Sequence, residues 1–136
     1  MVAIDINDKT VKDLTEIMEE IKVKGGLFGA ILGTHDGEIL ANNADENFDW
    51  HQVSAMCASA LNSAVGLGET IGDRQTKSIT VELEDKIIIV APCEPKLFIA
   101  LLVQKKTAKK VATVLSELEA YASKIEKRIQ QSSVEI

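Results

Sequence analysis

Residues 86–103 read KIIIVAPCEPKLFIALLV. The stretch holds two apolar runs, 86–91 and 97–103, divided by the short Pro92-Cys93-Glu94-Pro95 segment. A gap of that length with two prolines reverses the chain, so the runs form an antiparallel pair. Neither run alternates apolar with polar side chains. Strands of that kind are buried on both faces, and helices must cover the sheet above and below.

Upstream of this pair, residues 78–83 (SITVEL) alternate with period two, which gives a strand with one wet face. Glu84-Asp85 closes the hairpin to the run that follows. Farther back, residues 27–32 (LFGAIL) make a third doubly buried strand. Thr34-His35-Asp36-Gly37-Glu38 is a turn, because Asp-Gly between two strand-like runs suits a hairpin. The return strand, 38–43, is shorter and more polar.

Three helices complete the chain. Val11, Leu14, Ile17, Met18 and Ile21 repeat at helical spacing over about residues 8–23, with Asn7 or Asp8 as cap and Gly25-Gly26 as stop. A second helix opens at Asp49 and runs to about residue 71, before Gly72. Asp49-Trp50-His51-Gln52 has capping-box spacing, and Asp45, Glu46 and Asp49 suit the positive end of the helix dipole. The third helix runs from a Thr107 cap to about residue 129 on a stripe from Val111 to Ile129, and residues 131–136 are expected to fray. The order is αββαβββα. Short turns make sequential strands antiparallel, and the three doubly apolar strands belong in the middle. The expected architecture is therefore a mixed α/β (α+β) fold with a five-stranded antiparallel sheet in the order 2-1-5-4-3. The first and third helices lie on one face and the middle helix on the other. Residues 1–130 form one domain.

The middle helix carries more apolar surface than a sheet can hide. At about 100° per residue, its apolar arc runs from Met56 through Leu67, Ala60, Val53, Ala64, Cys57 and Leu61 to Val65 and Ala58, more than half the circumference. The remaining strip is small: Ala55, Ala58, Ser59, Asn62, Ser63 and Gly66. Small side chains let another helix approach closely. A second copy across a two-fold axis is the simplest partner. The third strand, with Ile79 and Val81, is an edge with no proline to protect it and is expected to join the same interface.

The chain has 136 residues, a net charge of −6, 46% hydrophobic and 26% charged residues. The acidic balance argues against a nucleic-acid partner. No apolar run is long enough to span a membrane, and MVAIDINDKT has no secretory pattern, so a cytoplasmic protein with reduced thiols is expected. Gly66-Leu67-Gly68-Glu69-Thr70-Ile71-Gly72 has one residue too many for a dinucleotide fingerprint and follows a helix. His35-Asp36 has no third catalytic partner nearby in sequence, and the two histidines and two cysteines are not at metal-ligand spacing. No enzyme activity, cofactor or metal is expected. Trp50 and the Lys105, Lys106, Lys109, Lys110 cluster are the candidates for contact with a partner, the lysines with an acidic one.

The run GAILGTHDGEILA, residues 29–41, resembles the first hairpin of the Roadblock/dynein light chain family. The Ala/Ser-rich helix 53–68 and the run IIIVAP, residues 87–92, resemble the elements that follow it in that family, and the likeness extends over about residues 10–125. The resemblance is strongest to prokaryotic members that act beside Ras-like GTPases. It implies a homodimer joined through the third strand and the middle helix, serving as a platform for a Ras-like small GTPase or for other adaptor subunits. It carries over no individual GTPase-contacting residue. A small-ligand sensor is the alternative that the antiparallel architecture leaves open.

Overall fold

The computed structural model describes residues 7–44, 48–73, 75–94 and 96–134. Helix α1 spans Asp8–Gly25. The Asn7 side chain caps it by accepting the Thr10 N–H at 2.8 Å. Gly26 ends it in the left-handed region at φ 61°, and the Leu27 N–H turns back to the Lys22 carbonyl at 3.0 Å. That bond ties Leu27 to the helix end, so strand β1 begins two residues later than its apolar run, at Gly29–Thr34.

Strand β2, Ile39–Ala44, returns antiparallel to β1. Helix α2 follows at Trp50–Thr70, then β3 at Ile79–Glu82, β4 at Lys86–Cys93 and β5 at Leu97–Gln104. The sheet has the order β2-β1-β5-β4-β3 with every pair antiparallel. This is the expected topology, with the three apolar strands in the centre.

Alternation of side chains across the central strands divides the core in two. On one face Leu32, Ile99, Leu101 and Val103 meet Leu14, Met18 and Ile21 of α1. On the other, Ile31, Val90, Phe98, Ala100 and Leu102 meet Cys57, Ala58 and Leu61 of α2.

The C-terminal segment departs from the single helix expected. A 3-10 stretch at Lys105–Lys110 leads into α3, Val111–Ser116, and α4, Leu118–Val134. Thr107 caps nothing: it has φ −117° inside the 3-10 stretch, and its hydroxyl donates to the Gly26 and Gln104 carbonyls. The break falls at Glu117, which forms an ion pair with Lys24. Val114, Tyr121, Ile125 and Ile129 stay buried on both sides of the break. The apolar stripe runs through it unbroken, which is why periodicity gives no sign of it. Pairs Lys124–Glu20 and Arg128–Asp13 hold α4 antiparallel to α1. Helix α4 continues to Val134, past the point where fraying was expected, while 135–136 lie outside the described residues, as do Asp45 and Glu46.

Candidate interaction face

Helix α2 starts at Asp49, whose carboxylate accepts the Gln52 N–H at 3.2 Å. Phe48 meets Trp50 edge-on at 5.3 Å and lies 6.2 Å from Phe28, anchoring the helix entry to the start of β1. Trp50 is partly buried against the α2-side core. From there α2 buries one narrow line of side chains: Ser54, Cys57, Ala58 and Leu61.

The rest of the helix surface is open. Met56 is 63% exposed, Leu67 65% and Ile71 75%. Residues 52–68 contain no charged side chain, although a quarter of the chain is charged. Exposed apolar, charge-free surface of this kind is typical of sites that contact other molecules.

Of the six small residues on the strip expected to be free, Ala55, Ser59, Asn62, Ser63 and Gly66 are exposed. Ala58 alone among them departs from that expectation: it is 3% exposed and belongs to the chain's own core. Ala55 sits against the β1–β2 turn, where a Cβ on Gly37 would lie 2.8 Å from its Cα. The Asn62 side-chain amide donates to the His35 carbonyl at 3.1 Å. The turn, with Gly37 at φ 95°, leans onto α2 from this side and needs small residues beneath it. Ser59, Ser63 and Gly66 are exposed. The exposed surface continues over Met56, Ala60, Leu67 and Ile71.

Strand β3 contributes to the same side of the molecule. Ile79 and Val81 lie opposite Val90 and Ile88, so they point to the α2 face of the sheet. Ile79 is partly buried against the core, while Val81 and Leu83 are exposed. The far edge of β3 has no strand neighbour among the described residues. Glu82 points to the opposite face and pairs with Lys105 at 2.9 Å. The Lys105 ammonium beside Glu82 holds that carboxyl below its ordinary range. Lys105 is thus tied to its own chain, while Lys106 is exposed.

The chemical candidates stay apart. The His35 Nε2 is 3.4 Å from Asp36, on a half-exposed turn. Burial pushes the Cys57 thiol to about 11, and burial with Glu126 and Glu94 pushes Cys93 to about 12, so both are poor nucleophiles. Among the described residues, no group of three His, Cys, Asp or Glu side chains is placed to hold a metal ion, and no helix is long and apolar enough to cross a membrane.

The fold has counterparts among solved structures. An MglB described in a tetrameric arrangement superposes with a TM-score of 0.83 at 16% identity, covering 97% of this chain and 98% of that one. The gliding protein MglB of Thermus thermophilus gives 0.82 at 14% identity, covering 96% and 98%. MglB of Myxococcus xanthus gives 0.78 at 11% identity, covering 88% and 96%. At these identities the likeness is one of fold. No curated protein matches the sequence. The family model described as the Roadblock/LC7 domain matches residues 13–104, from α1 to the end of β5. The chain belongs to the Roadblock/LC7 family.

Proposed function

We propose that this chain is a non-enzymatic homodimeric adaptor that binds a Ras-like small GTPase. The observation that carries the reading is the charge-free flank of α2, with Met56, Leu67 and Ile71 exposed on the same sheet face as Val81. Two copies joined along β3 and this flank make one continuous sheet beneath a pair of helices. The self-association of a same-fold MglB, described as tetrameric, supports that assembly. The dimer interface takes in Ala55, Ser59, Asn62, Ser63, Gly66, Ile79 and Val81, and the GTPase contacts include Trp50 and Lys106.

The helix pair acts on its partner by differential affinity. A GTPase with two switch conformations is shifted only as far as the adaptor prefers one of them. The test is calorimetric titration of candidate Ras-like GTPases in the GDP-bound and GTP-analogue-bound forms. Tighter binding to one form is the expected result. Equal affinity in both limits the chain to tethering, and no binding to either removes the GTPase from the reading.

A further inference from the structure

We infer that the 3-10 stretch and the end of α1 form one basic surface, away from the α2 face, that takes an extended acidic segment of another protein. The inference rests on neither the dimer nor the GTPase. Lys106, assigned above to the GTPase, is not needed for it.

The sequence separates the charges before the chain folds. Residues 21–27 and 103–116 hold six lysines and no Asp or Glu, so all 21 acidic residues lie elsewhere. The fold then joins the two stretches. The Thr107 hydroxyl donates to the Gly26 carbonyl at 3.3 Å. The stem of Lys110 lies across Gly26, where a Cβ would come within 2.9 Å of the Lys110 Cδ. Lys22 and Lys24 stand in the last turn of α1, just before that glycine. Ala108 and Val111 pack on the α1-side core, which puts this surface on the opposite side of the sheet from α2.

Part of the charge is met within the chain. Lys24 pairs with Glu117, and Lys105 with Glu82. A helix C-terminus attracts cations, which accounts for Lys22 and Lys24 on α1. Lys109 and Lys110 also stand at the start of α3, where positive charge is unfavourable. Both are exposed, and no carboxylate among the described residues pairs with them. A chain of net charge −6 thus keeps a local excess of cations that its own carboxylates leave unneutralised.

The surroundings choose the occupant. The Lys105 N–H donates to the Asp85 carbonyl at 3.0 Å, so the exposed Glu84-Asp85 turn borders the lysines. A flat anionic membrane would meet those carboxylates together with the lysines, whereas a narrow segment passes beside them. Neither stretch carries an aromatic side chain on which a nucleic-acid base could stack. Val23, between Lys22 and Lys24, is 67% exposed, and an apolar contact beside the charges suits a peptide. Six residues at about 2 Å each span about 12 Å, the length of about four residues of extended chain.

Fluorescence anisotropy tests the surface. The probe is a fluorescein-labelled hexapeptide, EEDVEE, beside its neutral counterpart QQNVQQ, titrated with the whole protein at 50 mM salt. The acidic probe is expected to bind and the neutral one not to. Lys109→Gln/Lys110→Gln keeps the Lys110 stem on Gly26 and is expected to weaken binding about tenfold. Lys9→Gln/Lys12→Gln makes the same change in net charge at the exposed far end of α1 and is expected to weaken it less than twofold. Circular dichroism verifies that both variants fold. Absence of binding by the unmodified protein overturns the inference, as does equal weakening by the two variants, which reports net charge alone. Co-sedimentation with phosphatidylserine vesicles that depends on Lys109 and Lys110, with no binding of the peptide, replaces the acidic segment with a membrane and overturns the occupant.

Discussion

At the scale of single residues, close contacts decide where α2 can sit. A Cβ on Gly33 would lie 2.5 Å from Phe98 and 2.9 Å from the Ser54 hydroxyl, which is itself fully buried. Gly33→Ala is expected to destabilise the protein by about 1–3 kcal/mol in urea unfolding, since the ring and the helix cannot both move aside. The two thiols give a second test. Both have folded values raised above the ordinary 9.0, to about 11 for Cys57 and about 12 for Cys93. The folded protein therefore holds protons that the unfolded chain releases above that value. Stability from this source is complete below about pH 9 and falls as pH rises toward about 12. Ellman's reagent at pH 8 is expected to label neither cysteine until denaturant is added. Rapid labelling of the native protein contradicts their burial.

At the scale of elements, the helix starts and strand centres are the readable parts. Asn7 and Asp49 act as caps because a short polar side chain beside a free N–H is a local interaction, complete within three residues. The doubly apolar runs become the three central strands because no other position buries both faces. Leu101 in the middle of β5 is 1% exposed, and Leu101→Ala is expected to cost about 2–5 kcal/mol by chemical denaturation. The break at Glu117 is not readable. No proline or glycine marks it, and it exists because the chain must leave β5, cross the end of α1 and then run back along it. That route is set by the packing of α1, which lies far away in sequence.

At the scale of the whole molecule, the placement of α2 separates substitutions that unfold the chain from those that test the proposed dimer. Ala58→Glu puts a carboxylate into the core and is expected to abolish folding, so it says nothing about oligomeric state. Gly66→Arg is the clean probe: a Cβ there meets nothing within 4 Å. It is expected to change stability by less than about 0.5 kcal/mol while moving the sedimentation coefficient to that of a monomer. A dimer that survives both Gly66→Arg and Leu67→Asp contradicts the α2 face as its interface.

The sequence by itself determined the element order, the central placement of three strands and the excess of apolar surface on α2. Each of these depends on periodicity and amount, which local composition records. Which part of that excess stays uncovered was decided only by the tertiary structure. The β1–β2 turn approaches Ala55 and Asn62, Ala58 goes into the core, and the rest of the small strip stays open together with Met56 and Leu67. The physical reason is that a helix wheel has no direction until a neighbour fixes one, and here that neighbour is a turn about twenty residues upstream whose position depends on the whole sheet.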